Sequence, residues 1–229
     1  MSTILAIETS TELASVALLL EDRVIVRESA GVQTHSQTVL PMVQALLKEA
    51  GLHVQDCDAL AFGSGPGSFT GVRTACGITQ GLAFASGLPV VPVVTLQAMA
   101  QACLDLHGET EVIALLDARM EEVYWAQYRF DGEWRTVTEP GLAAPAAVHP
   151  TGQAVACGNG LTAYASAFGD KVFSGRFSDI SGPHASYVAR LARQALARGE
   201  ALEAKHAQPL YLRNKVALTI AEREAKLPI

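Results

Sequence analysis

The sequence predicts an α/β fold built from two similar halves, each with a mixed β-sheet. Short apolar runs typical of strands alternate with segments whose apolar residues recur every three or four positions, as in helices. A three-strand meander opens the chain, and a second one opens at Glu111. The runs LAIE (Leu5–Glu8) and ALLD (Ala114–Asp117) each end in a carboxylate and start a meander. This weak internal repeat favours a duplicated architecture; chance similarity between short apolar strands is the alternative.

The first half alternates strands with three helices. In chain order we expect strands Thr3–Glu8, Ala14–Leu20 and Arg23–Ser29, helix Gln37–Ala50, strand Ala59–Phe62, helix Thr70–Ser86, strand Pro89–Val94 and helix Leu96–Leu106. Thr38 is the expected N-cap of the first helix, and Gly51 is expected to end it.

The second half repeats the meander and has fewer helix signals. We expect strands Glu111–Asp117, Val123–Phe130, Glu133–Thr138 and Gln153–Cys157, an irregular Gly141–Pro150, helix Ala185–Arg198 and a frayed Ala221–Ile229. The boundary is expected near residues 103–110, which gives domains 1–104 and 105–229. The last segment of the second domain is free to pack back on the first.

Composition excludes some classes of function. The net charge is −6, whereas a protein that binds nucleic acid alone usually presents a basic face. The four cysteines lie far apart without a CxxC pair, as in a reduced cytoplasmic protein. No basic segment leads into an apolar run at the start, so we expect no signal peptide. The apolar stretch Gly81–Met99 is broken by two prolines, so we expect no membrane span.

The glycine-rich stretch GSGPGSFTGV, Gly63–Val72, follows a predicted strand and precedes a predicted helix. Backbone N–H groups in such a turn favour an anion, so phosphate binding is one interpretation. The GxxxxGK[ST] motif is absent, GxGxxG is matched only loosely, and no acidic residue follows at the spacing of a ribose ligand. The other interpretation is that glycine permits a tight turn and close helix packing.

The helix after this loop carries one charge, Arg73, between Thr70 and Leu88, and its apolar residues lie all around the axis. Such a helix is either the centre of a core or half core and half interface. We favour the second, because the helix Gln37–Ala50 also has a broad apolar stripe. Gly77 and Gly81, four residues apart, would let another backbone approach. The two helices together would form an apolar patch that needs a partner.

The sequence offers few catalytic constellations. No pair of histidines has HxxxH, HExxH or HxH spacing, so we expect no metal site, and GxSxG has no match. Glu8 and Asp117 both end strands and could face one cleft, where paired carboxylates hold Mg²⁺ or act as a base. The commoner alternative is that they terminate strands and bind turn amides. Arg190, Arg193 and Arg198 form either a contact with a nucleic acid or, as is usual for such a run, a solvated helix face.

As a set, several blocks resemble the bacterial tRNA threonylcarbamoyladenosine biosynthesis proteins of the TsaB (YeaZ) family. These blocks, which extend from about Ile4 to Asn214, are ILAIETSTELASVAL, HSQTVLPMVQALL, GSGPGSFTGVRTACGITQGLA, LDARMEEVYWAQY and PLYLRN. The resemblance implies an actin-like (ASKHA, ribonuclease-H-like) fold of two duplicated domains. It also implies a role in placing threonylcarbamoyl on the adenosine 3′ of the anticodon in tRNAs that read ANN codons.

In that family the chemistry belongs to a metal-binding paralogue, TsaD. TsaB is its non-catalytic partner, the ATPase TsaE joins them, and the complex holds the tRNA. The resemblance therefore implies no catalytic residue, metal or cofactor in this chain. It further implies a homodimer in isolation, formed through the helices that would pair with TsaD as a four-helix bundle.

The motif residues agree with this division. The paralogue's HxxxH motif corresponds here to HSQTV, with His35 present and Val39 in the fifth place. The first phosphate loop of actin-like ATPases has the motif DxGT and corresponds here to a vestigial nucleotide loop. The second phosphate loop has the motif DxG and corresponds here to Asp117–Arg119, which contains no glycine. The vestigial loop consists of Glu8, Thr9, Ser10 and Thr11. The expected interface residues are His35, Val39, Leu40, Val43, Leu46, Leu47, Phe69, Val72, Arg73, Cys76, Gly77, Gly81 and Leu82.

Two other functions compete with the scaffold role. An active ASKHA-type ATPase or small-molecule kinase would need the acidic and glycine residues that the phosphate loops lack. A peptidase would need a nucleophile–base pair or a metal motif, and neither is present in the sequence.

Overall fold

The computed structural model describes residues 2–30, 35–168 and 178–213. Its first sheet has five strands in the order β3-β2-β1-β4-β5. The strands are β1 (Thr3–Glu8), β2 (Leu13–Leu20), β3 (Arg23–Ala30), β4 (Ala59–Gly65) and β5 (Val90–Val94). Strands β1 to β3 form the predicted antiparallel meander, and β4 and β5 extend the sheet in parallel from β1.

The second sheet repeats the pattern of the first four strands. Its order is β8-β7-β6-β9, with an antiparallel meander and a parallel strand added beside β6. The strands are β6 (Glu111–Asp117), β7 (Val123–Phe130), β8 (Trp134–Ala143) and β9 (Val155–Cys157). The repeat predicted from LAIE and ALLD thus corresponds to β1 and β6, the equivalent strands of two mixed sheets.

Six α-helices are described: α1 (His35–Ala50), α2 (Phe69–Ser86), α3 (Thr95–His107), α4 (Asn159–Ala163), α5 (Ala165–Phe168) and α6 (Ala185–Ala197). Gly51 ends α1 as predicted, with a left-handed φ of 69° that favours glycine. The prediction that Thr38 is the N-cap of α1 is wrong. The helix already begins at His35, and the Thr38 hydroxyl donates to the His35 carbonyl from inside the first turn.

The first sheet is covered on both faces, because its strands carry apolar side chains that point alternately to one face and to the other. Leu5 and Ile7 of β1 pack in one core with α1 and α2. Ile4 and Ala6 point the other way and pack in a second core with α6. Helix α6, although late in the chain, is therefore part of the core of the N-terminal sheet. The division at residues 104 and 105 separates the sheets but assigns α6 to the half on which it does not pack.

The second sheet has a core on each face as well. Helix α3 packs against β6 and β7 through Leu96, Met99 and Cys103. The opposite face is closed by α5 and by the segment after β8, through Phe168 and Val148.

The larger differences from the predicted elements lie in the second half, whereas the bounds of the first-half elements shift by at most three residues. Strand β8 continues to Ala143, so the first residues of the stretch expected to be irregular are paired with β7. Strand β9 is shorter than predicted, and the short helices α4 and α5 were not predicted. The expected frayed segment Ala221–Ile229 lies outside the described residues.

Candidate functional site

The glycine-rich loop between β4 and α2 is packed against the loop that follows β1. A Cβ on Gly71 would lie 1.9 Å from the Thr9 carbonyl oxygen, and one on Gly67 would lie 2.6 Å from that of Ser10. The Ser68 N–H donates to the Ser10 carbonyl at 2.7 Å, and the Thr9 hydroxyl donates to the Gly71 carbonyl at 2.7 Å. Of the two interpretations of this loop, close packing accounts for both glycines.

Glu8, the first residue of the vestigial nucleotide loop, is fully buried. Its Oε1 accepts the Ser10 N–H at 2.5 Å, and its Oε2 fills the space that a Cβ on Gly63 would need, 1.7 Å away. No described residue hydrogen-bonds Oε2. Burial raises the pKa of the Glu8 carboxyl, against the weaker lowering effect of hydrogen bonds from Ser10 and Thr9. The folded state thus favours a neutral, protonated Glu8.

A cavity of about 490 Å³ opens between the end of β1 and the end of β6. Asp117 lines it, and its Oδ1 accepts hydrogen bonds from the Tyr164 hydroxyl at 2.9 Å and the Arg119 N–H at 2.8 Å. Glu8 is not part of the lining. Glu8 and Asp117 therefore do not face one cleft, and each accepts a backbone N–H of the turn that follows its strand, as in the commoner alternative. Gly63 has no side chain, so the Glu8 carboxyl is accommodated inside the core.

The chain returns to this cavity near its end, in the segment Leu210–Arg213. The Leu210 N–H donates to the Ser64 carbonyl at 2.7 Å, and the Arg213 guanidinium pairs with Glu122 beyond β6. Between these contacts, Tyr211 accepts a hydrogen bond from Arg73 Nε at 2.7 Å. The block PLYLRN supported the resemblance, but no periodicity in the sequence placed its tyrosine beside α2.

Helices α1 and α2 present an exposed strip, which we call the α1–α2 face. Phe84 is 82% exposed, Phe69 43% and Leu40 41%. Outside α2 itself, no atom of the described residues lies within 4 Å of where a Cβ on Gly77 or Gly81 would be. The face consists of Leu40 on α1 and of Phe69, Arg73, Gly77, Gly81 and Phe84 on α2. Its α2 residues recur about every four positions, so they form one stripe along the helix.

The expected interface residues fall into three groups, and the exposed group on the α1–α2 face consists of Leu40, Phe69, Arg73, Gly77 and Gly81. One group is buried in this chain and faces its own core; it consists of Val39, Val43, Leu46, Leu47, Val72 and Cys76. These six side chains leave no surface for a partner, because they pack under the helices rather than on the α1–α2 face. His35 and Leu82 are half-buried at the edges of the two helices. An interface with a partner chain would therefore be restricted to the α1–α2 face.

His35 occupies the position of the first metal ligand in the paralogue's motif. Its Nε2 lies 2.8 Å from the Thr11 carbonyl oxygen. Because a carbonyl only accepts, Nε2 carries the hydrogen and donates. Val39, in the place of the second ligand, is fully buried in the core. Among residues 2–30, 35–168 and 178–213, no group of three histidine, cysteine or acidic side chains could hold a metal ion.

The arginines of α6 and its C-terminal cap are engaged by carboxylates within the chain. Arg190 pairs with Asp105, and Arg193 pairs with Asp22. Arg198 binds Glu200 through two nitrogens. Each of them is paired, as on an ordinary solvated helix face. In the described part of the chain, no helix is long and apolar enough to cross a membrane.

Comparisons with known proteins agree with this geometry. The family model described as "TsaD: tRNA N6-adenosine threonylcarbamoyltransferase" matches residues 22–221. The tRNA threonylcarbamoyladenosine biosynthesis protein TsaB of Haemophilus influenzae is 42% identical over 93% of this chain and 94% of its own length. The Escherichia coli TsaB is 41% identical over 93% of this chain and 96% of its own. The chain belongs to the TsaB (YeaZ) family.

A solved structure supports the same assignment. YeaZ from Pseudomonas aeruginosa superposes with a TM-score of 0.86 at 41% identity, covering 93% of this chain and all of that one. The resemblance to TsaB and the predicted actin-like fold class with two mixed sheets are thus confirmed. The family model is that of a TsaD-type protein, so this chain and TsaD share a homologous domain.

Proposed function

We propose that this chain is the non-catalytic partner of a TsaD-type protein in forming threonylcarbamoyladenosine, on the adenosine 3′ of the anticodon in tRNAs that read ANN codons. The TsaB relatives carry the name of this pathway, and the family model names the transferase. The α1–α2 face carries the proposal, because it is an exposed strip of aromatic, aliphatic and glycine residues that no described part of the chain covers.

The shape of the face suits another helix. Gly77 and Gly81 form a floor without side chains, and Phe69 and Phe84 stand at its two ends. A partner helix laid along this floor could approach the α2 backbone closely. Because TsaD shares a homologous domain with this chain, it would offer the equivalent two helices. Like faces would then meet in a four-helix bundle.

The environment of the vestigial loop supports a non-catalytic role. Glu8 favours its neutral form inside the core and is out of reach of the cavity. The glycines after β4 are used for packing on Thr9 and Ser10. An ATPase or kinase would need a charged carboxylate and open backbone amides at these two places. The alternative enzymatic function is therefore not favoured by any contact of this loop.

The remaining parts of the proposal follow from the same role. The ATPase TsaE joins the pair, the assembled complex holds the tRNA, and the isolated chain forms a homodimer through its α1–α2 face. The cytoplasm is the proposed location, in keeping with four free and buried cysteines.

The test is the solution mass of the pure chain, alone and mixed with the TsaD-type protein of its own organism, by light scattering after size exclusion. A homodimer that converts to a heteromeric complex is the expected result. A chain that is indifferent to the TsaD-type protein would overturn the proposal. Mg²⁺-dependent ATP turnover by the pure chain would revive the ATPase function instead.

A further inference from the structure

We propose that Arg73, held in place by Phe69 and Tyr211, makes the α1–α2 face selective for a partner that offers a carboxylate, and so favours a paralogous chain over a second copy of this one. The inference rests on the proposed function, which it deepens by naming the residues that choose the partner. It places Tyr211, near the end of the chain, in the docking surface of α2.

The three side chains form one cluster at the N-terminal end of α2. The Arg73 guanidinium lies 3.9 Å from the centroid of the Phe69 ring and 5.6 Å from that of Tyr211. Its Nε donates to the Tyr211 hydroxyl at 2.7 Å, and the two rings lie 5.7 Å apart. Phe69 and Tyr211 are 43% and 46% exposed. The cluster is therefore on the surface, and the guanidinium is oriented before any partner arrives.

Arg73 differs from most of the described arginines in having no carboxylate partner among the described residues. Within the described residues, the arginines that form ion pairs with aspartate or glutamate are Arg27, Arg119, Arg129, Arg135, Arg190, Arg193, Arg198 and Arg213. Arg73 has only its tyrosine and the two rings. One other described arginine, Arg23 at the start of β3, also lacks a carboxylate partner. A planar guanidinium with free N–H groups suits the bidentate geometry of a carboxylate.

Helices α1 and α2 of a second copy would offer Arg73 no free carboxylate. Helix α2 contains no acidic residue, and the single acidic residue of α1, Glu49, is already paired with Arg27. Self-pairing of like faces would thus bring Arg73 into an interface without an acidic partner, and a buried unpaired charge opposes association. A paralogue with an aspartate or glutamate on its equivalent helix removes that cost.

Arg73 is already held by Phe69 and Tyr211 in the free chain, and this increases its contribution to binding. Arginine and tyrosine dominate binding hot spots, and a side chain that is already held loses less freedom on association. Removing the tyrosine hydroxyl would free the guanidinium without removing its charge. This separates the role of Tyr211 in orientation from that of Arg73 in charge.

The experiment measures two affinities for each of four proteins: wild type, Arg73→Leu, Tyr211→Phe and the control Arg23→Leu. Binding to the organism's TsaD-type protein is measured by calorimetry, and self-association by analytical ultracentrifugation. Arg73→Leu is expected to weaken the heteromer by at least about tenfold and to strengthen self-association. Tyr211→Phe should weaken the heteromer by about two- to tenfold. Arg23→Leu should leave both affinities as in the wild type.

Salt provides a second readout that merely apolar packing would not give. The heteromer of the wild type should weaken between about 0.05 M and about 0.5 M NaCl more steeply than that of Arg73→Leu. Circular dichroism of each variant establishes that it is folded. Tyr211→Phe, which keeps the ring, tests the cluster even if Arg73→Leu fails to fold.

The outcomes separate this inference from the proposed function. If the wild type binds the TsaD-type protein and both Arg73→Leu and Tyr211→Phe bind equally well, the inference is wrong and the proposed function stands. If Arg73→Leu weakens self-association, Arg73 serves the homodimer and the inference is also wrong. If the wild type does not bind the TsaD-type protein at all, both are overturned.

Discussion

Two glycines of the same helix should respond to alanine in opposite ways. In Gly77→Ala the new Cβ meets nothing within 4 Å, so only helix propensity changes. Alanine is better than glycine inside a helix by about 1 kcal/mol, so the folded monomer should gain about 0.5–1 kcal/mol. For a chain of this size such a gain raises Tm by about 1–4 °C. The gain stabilises the chain alone and needs no partner.

In Gly71→Ala the Cβ would lie 1.9 Å from the Thr9 carbonyl oxygen, whereas real Cβ contacts are essentially never under 3.0 Å. The backbone at Gly71 and Thr9 would therefore have to move apart by more than 1 Å in a fully packed loop. Overpacking of this kind costs about 1–3 kcal/mol, and the upper end applies because the contacted atom is backbone. After the propensity gain, the expected net loss is about 2 kcal/mol, which leaves the two variants about 3 kcal/mol apart.

The assay is urea unfolding at two protein concentrations, which separates monomer stability from any dimer contribution. Binding of Gly77→Ala to the TsaD-type protein should fall by at least about tenfold, because the methyl group separates the two helices. If Gly77→Ala destabilises the monomer as Gly71→Ala does, the geometric argument fails. If it stabilises the monomer and binds unchanged, Gly77 is not in the interface.

Other substitutions test burial and charge. Leu46→Ala, in the core, should cost about 2–5 kcal/mol in urea unfolding, whereas Leu40→Ala, on the exposed side of α1, should cost less than about 1 kcal/mol. Phe84→Ser should change monomer stability by no more than about 0.5 kcal/mol but weaken binding to the TsaD-type protein in calorimetry; unchanged binding would remove Phe84 from the interface. Burial raises the folded pKa of the Glu8 carboxyl above its usual range, so the folded state keeps a proton that the unfolded state loses. Wild-type stability therefore falls as pH rises above the pKa of the unfolded carboxyl toward the raised folded pKa. In urea unfolding, the free energy of unfolding of Glu8→Gln relative to the wild type should therefore be higher at about pH 8 than at about pH 5. A stability difference that does not change with pH would contradict a buried, neutral Glu8. Burial and two flanking aspartates raise the pKa of the Cys57 thiol to about 11, so a thiol reagent should leave Cys57 unlabelled in the folded chain and label it in urea; fast labelling of the native protein would refute this burial.

The sequence predicted most elements of the fold because both sheets begin with strands of clear apolar character. It could not divide α2 into core and surface. A helix with apolar residues on every side, such as that around Ala75 and Phe84, contains no periodic signal for which side meets the sheet. The structure places Ala75 in the core and Phe84 in solvent.

Two features of the candidate site could not be predicted from the sequence. The sequence left open whether Glu8 faces a cleft or binds turn amides, and it contains no sign that the space left by Gly63 accommodates the Glu8 carboxyl in the core. The position of Tyr211 against Phe69 joins residues far apart in the chain, and no local pattern signals it. Both features depend on contacts between distant segments, which propensity and spacing do not contain.

The packing of α6 on the N-terminal sheet sets the order in which this protein can be completed during synthesis. When β5 has left the ribosome, one face of its sheet is covered by α1 and α2, but Ile4, Ala6 and Val91 on the other face have nothing to pack against. Their cover, Val188 and Ala192, is made about a hundred residues later. The nascent chain thus carries a bare apolar sheet face while about a hundred further residues are made, and a fragment that ends before α6 would expose the same surface and aggregate.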